Sequence, residues 1–133
     1  MDIRTKAVQP THTLHLRDAA DELMYDEGKP VTVTLYGPGS KQFAKAQAAQ
    51  QNRMLDMLKR KGKTEQTAEQ KRAEQAEFLT ECTAEFGNLT YGDLAGAEMA
   101  KAVYSDIEIG FIADQAAKDI GDWANFSKPS ATN

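Results

Sequence analysis

The chain is poor in several things at once, and each shortage narrows what it can be. Cysteine occurs once, as Cys82, among 133 residues. A single thiol cannot close an internal disulfide, so the sequence predicts a fold without cross-links, suited to a reducing compartment. Histidine occurs twice, at positions 12 and 15. A strand spacing of three sets the two on opposite faces, and zinc sites require three or four ligands, so no metal site is expected. No apolar run approaches the roughly 20 residues that span a bilayer. Residues 1–9 carry Asp2, Arg4 and Lys6 with no apolar stretch after them, so no secretory signal is expected.

Large aliphatic and aromatic side chains are also scarce. Leu, Ile, Val and Phe together make 23 of the residues, about 17 %, below the roughly 20 % at which highly charged chains fail to fold alone. The formal charge of −4 is too small to argue for disorder. The expectation is one domain with a small core, some of whose stability comes from self-association or a partner. The acidic balance, with a pI of about 5.2, repels phosphate backbones and argues against nucleic acid.

What the chain does contain is local punctuation. Residues 1–12 have no period and read as a flexible arm. Residues 13–126 read as a single domain. Within it, residues 13–37 form a small β-hairpin and residues 40–126 are helical. The clearest strand is 31–36, where Val31, Val33 and Leu35 point one way and Thr32, Thr34 and Tyr36 the other. Leu14 and Leu16 belong to its antiparallel partner, across an acidic loop. A lone hairpin is marginal in water, so it must pack on helices or on another copy. Ser40 is placed as the N-cap of a helix over 40–61, closed by Gly62. Thr67 and Gln70 form a capping box for a helix over 67–86. A short helix follows at about 96–104. Ser105 and Glu108 suggest a second box, opening a helix over 106–124 with a stripe of Ile109, Ile112, Ala116, Ile120 and Trp123. Residues 127–133 read as a flexible tail. The fold class is therefore α+β, mainly α: a hairpin packed with three to four helices.

The clusters that could carry chemistry each have a structural explanation. Gly37-Pro38-Gly39-Ser40-Lys41 follows a strand and opens a helix, yet the spacing is not that of a phosphate-binding loop and Pro38 removes an amide donor. Asp18, Asp21, Glu22, Asp26 and Glu27 lack the ligand pattern of a calcium loop and read as a solvated loop. Cys82 sits on the apolar side of its helix and reads as a core thiol. No catalytic, cofactor-binding or metal-binding residue is predicted, and the chain is not expected to be an enzyme. Phe111, off the stripe, and Phe126, past the helix, read as a contact surface, since aromatics dominate interface hot spots. Phe43 and Met54, on the alanine- and glutamine-rich helix, are the other two expected partner-binding residues.

Three segments in order give the chain a family resemblance. They are LHLRDAADELMYDEGKPVTVTLYGPGSKQF, FLTECTAEFGNLTYGD and AVYSDIEIGFIADQAAKDIGDWANF. In this order the chain resembles tail assembly chaperones of long-tailed, siphophage-type bacteriophages, with Phe86 standing where a tryptophan would be expected. The resemblance implies a non-enzymatic protein that binds tape-measure and tail tube proteins in the host cell cytoplasm before tail polymerisation and is left out of the mature virion. Such proteins are often made in a short form and a frameshifted long form. The alternative expectation is a structural virion component, such as a tail terminator or head–tail connector, which requires a stable ring.

Overall fold

A computed structural model describes residues 1–62 and 65–127. The fold is α+β and mainly α, as the periodicities predict. Strands β1 (Thr11–His15), β4 (Thr32–Tyr36) and β5 (Thr83–Gly87) form an antiparallel sheet in the order β1-β4-β5. The acidic loop between β1 and β4 folds on itself as a two-residue ladder of β2 (Tyr25–Asp26) and β3 (Lys29–Pro30). The helices are α1 (Lys41–Lys61), α2 (Ala68–Glu81), α3 (Gly96–Ser105) and α4 (Gly110–Ile120).

The antiparallel hairpin forms as expected. Leu14 pairs with Val33 and Thr13 with Thr34, whose hydroxyls meet at 3.0 Å. Val31, Val33 and Leu35 are all buried, while Thr32, Thr34 and Tyr36 are half-buried. The sheet packs on helices through this face. The core joins Leu16, Val31 and the β4 side chains Val33 and Leu35 to Leu79, Cys82, Val103, Tyr104, Ile112, Ala116 and Ile120. Burial of that apolar area, at roughly 25 cal/mol per Å², is the main favourable contribution.

The helix starts follow local chemistry. Ser40 Oγ accepts from the Phe43 amide at 3.1 Å and donates to the Gly37 carbonyl at 2.7 Å. Gly62 closes α1 in the left-handed region at φ +71°, where glycine carries no Cβ penalty, and its N–H reaches the Leu58 carbonyl. Thr67 and Gln70 form the expected capping box.

Four expectations are corrected. The helix over 67–86 stops at Glu81, and Thr83–Gly87 continues as a third strand on the free edge of β4. An unpaired strand edge leaves backbone donors and acceptors without partners, and pairing outweighs the weak strand propensity of Ala84 and Glu85. Ser105 ends α3 instead of capping the next helix; Asp106 caps instead, its carboxylate accepting from the Glu108 amide at 2.9 Å. The helix over 106–124 is a 3-10 turn at Ile107–Ile109, then α4, then a second 3-10 turn at Trp123–Phe126 capped by Asp122. That break rephases the stripe: Ile112, Ala116 and Ile120 face the core, but Trp123 is 58 % exposed. Finally, the strand begins at Thr11, inside the expected arm, and the preceding residues are tied down. The Gln9 amide donates to the Phe126 carbonyl at 2.7 Å, and the Gly37 amide to the Pro10 carbonyl at 2.9 Å. Residues 128–133 of the expected tail lie outside the described residues.

Candidate protein-binding site

The reactive side chains are occupied in holding the fold. His12 Nδ1 lies 2.8 Å from Asp119 Oδ2, and its ring meets Phe126 edge to face at 5.7 Å. Burial pushes the Asp119 carboxyl above the usual carboxylate range, and the hydrogen bond and charge of His12 oppose that shift. His15 Nε2 donates to the Met24 carbonyl at 2.8 Å and its ring packs against Tyr25. Burial pushes the Cys82 thiol up to about 12, away from the thiolate a nucleophile requires. Tyr104 is raised for the same reason, and its hydroxyl meets Thr83 Oγ1 at 2.7 Å. Among the described residues no three His, Cys, Asp or Glu side chains converge as a metal site, and no helix is long and apolar enough to cross a membrane.

The open apolar surface is more informative. A groove of about 470 Å³ runs between α1, α2 and the end of α4. Phe43, Met54, Phe78, Leu79, Ala117 and Ile120 supply its apolar lining, and Gln50, Gln66 and Gln75 its amides. Phe43 and Phe78 meet edge to face at 5.7 Å. The helices that form the groove are held by Arg53, whose guanidinium reaches Glu74 at 2.9 Å and Glu81 at 3.4 Å. This pairing raises the Arg53 pKa, chiefly through the hydrogen bond to Glu74. The polar side chains of the lining are three uncharged amides, Glu74, which is already paired, and Lys71.

A second groove, of about 560 Å³, lies beside the β2–β3 ladder. Leu23, Met24 and Tyr25 from the acidic loop, Leu89 and Tyr91 from the β5–α3 loop, and Ile109 and Phe111 from the start of α4 line it. Its charged lining residues are Asp18 and Asp26.

The four expected partner-binding residues thus separate. Phe43 and Met54 share the first groove, and Met54 is 43 % exposed. Phe111 lines the second. Phe126 is a correction: it is fully buried, because the 3-10 turn folds its ring over Gly37, where any Cβ would overlap it. It clasps the two ends of the domain and offers no contact surface. Sequence reasoning missed Phe78, Leu23 and Tyr25. Phe78 acquires its place only through the pairing of α1 with α2, which no local period encodes. Leu23 and Tyr25 stand in a loop read as wholly wet, where their size was the available signal.

Comparison with protein-family models, curated proteins and solved structures gives no match to this chain.

Proposed function

We propose that the chain is a non-enzymatic chaperone of phage tail assembly, which holds tape-measure and tail tube proteins in the host cytoplasm before the tail polymerises. One observation carries the protein-binding part of this reading: the open groove of Phe43, Met54 and Phe78 between α1 and α2, whose polar lining is the amides of Gln50, Gln66 and Gln75 with Lys71 and the already paired Glu74. Helix-in-groove recognition uses apolar anchors spaced along such a trough, with polar neighbours that exclude water without locking the complex. Amides suit a holder that must release, because they add hydrogen bonds but no desolvated ion pair. The tail-assembly part is supported by the three ordered sequence segments described above.

Co-expression with the tape-measure and tube proteins of the same phage tests both parts. The reading predicts co-purification with at least one of them and loss of this chain from mature particles. Failure to bind either protein, or recovery in stoichiometric amounts from finished virions, refutes it.

A further inference from the structure

The far half of α1 carries apolar surface that neither groove uses. Leu55 and Leu58 are 53 % and 43 % exposed, and a spacing of three sets them on one face of the helix. Lys59, Arg60 and Lys61 follow immediately, all exposed. Among the described residues none of these three cations has a carboxylate partner. They offset the negative end of the helix dipole but remain free to meet an outside anion.

The complement exists in the same chain. The groove beside Tyr25 and Phe111 is apolar on its floor and acidic on its rim. Asp18 and Asp26 line it, Glu27 stands exposed next to Asp26, and no cation lies in the lining. None of the three carboxylates is ion-paired among the described residues. The groove includes Val31, just before β4, whereas α1 starts beyond the other end of that strand.

We propose that this acidic groove receives the Leu55–Leu58 face and basic end of α1 from a second copy of the chain. Leucine side chains enter an apolar floor, and three cations meet three carboxylates that carry no ion pair among the described residues, Asp18 accepting only the Ala20 and Glu22 amides. The two surfaces differ, so the contact is head-to-tail, and each copy keeps one basic end and one groove for the next. One helix end in one groove buries less than the ~1,200 Å² of a standard stable interface, so the association is transient and salt-sensitive. The proposal does not rest on tail-protein binding, because Phe43 and Met54 lie in the other groove.

Sedimentation equilibrium of the full chain tests it, run from dilute to near-millimolar concentration in low and high salt. The weight-average mass should rise above the 14.6 kDa of one chain with concentration and fall back in high salt. Two charge reversals sharpen the test: Lys59→Glu with Arg60→Glu and Lys61→Glu at the helix end, and Asp26→Lys with Glu27→Lys at the groove. Each alone should weaken self-association by about ten-fold or more. An equimolar mixture should restore it, because each copy then meets a complementary surface. A mass that stays at one chain throughout, reversals that associate like the parent, or a mixture that stays monomeric would each overturn the proposal. Should a reversal fail to fold, Leu55→Ser with Leu58→Ser, both exposed, must give the same loss.

Discussion

Replacing Phe126 by alanine should destabilise the protein far more than replacing Trp123, although the sequence stripe assigns the core position to the tryptophan. Phe126 is fully buried against Gly37 and the His12 ring, whereas Trp123 is 58 % exposed. Truncating a buried phenylalanine costs about 3–5 kcal/mol, because transfer free energy and cavity formation add. For a domain of this size each kcal/mol moves the melting temperature by about 3–5 °C, so Phe126→Ala should lower it by about 10–25 °C. Trp123→Ala should cost about 1 kcal/mol, since more than half of the side chain already lies in water. The contact with Gly37 supplies an internal control. Gly37→Ala places a methyl group inside the Phe126 ring and should cost about 1–3 kcal/mol by overpacking. Removing the ring relieves that overlap, so the double variant should be more stable than the sum of the two losses by about 1–3 kcal/mol. Thermal melts by circular dichroism, with urea unfolding for the cycle, read all four quantities. A larger loss at Trp123 than at Phe126, or strict additivity of Gly37→Ala with Phe126→Ala, refutes the clasp between the domain's two ends.

Three further outcomes follow from the same packing. Asp119 should titrate above the ordinary carboxylate range in the native state. Because its folded pKa lies above its unfolded value, its proton-linked stabilisation is complete below the unfolded value and is lost as pH rises through the folded one. His12→Ala removes the hydrogen bond that lowers this pKa, so carboxyl NMR should find Asp119 titrating higher still, and a downward move would contradict the pairing. Cys82, buried and with its thiol pushed up to about 12, should resist a thiol reagent at neutral pH until denaturant unfolds the chain; rapid native labelling would show the core to be open. Arg53→Met should cost about 1 kcal/mol, since its partly exposed pairs with Glu74 and Glu81 are screened by water, and the loss measured by urea unfolding should shrink in high salt.

The parts of the fold legible in the sequence are those written in short range. The alternation from Val31 to Leu35, the Ser40 cap, the Gly62 stop and the Thr67 box each depend on residues within a few positions, and each appears where expected. What stayed hidden depends on partners distant in the chain. Thr83–Gly87 becomes a strand because β4 has an edge to fill, and nothing in Ala84 or Glu85 announces it. The stripe ending at Trp123 assumes an unbroken helix, and the Asp122 cap resets the phase, which turns Phe126 inward and Trp123 out. The same limit applied to the site. Phe43 and Met54 were accessible as large side chains on a helix of alanine and glutamine. Their companion Phe78, 35 positions after Phe43, could be found only once α1 and α2 were seen together.

The most direct test of the account is a calorimetric titration of the chain against the tape-measure and tube proteins of its phage, repeated with Met54→Asp. Met54 is 43 % exposed, so the substitution should leave the chain folded, which circular dichroism checks, while placing a charge in the apolar groove. The parent should bind at least one of the two proteins saturably, and the folded variant about ten-fold or more weakly. No binding by the parent, or undiminished binding by the variant, would contradict the assignment of the Phe43–Met54 groove as the surface that holds a tail protein.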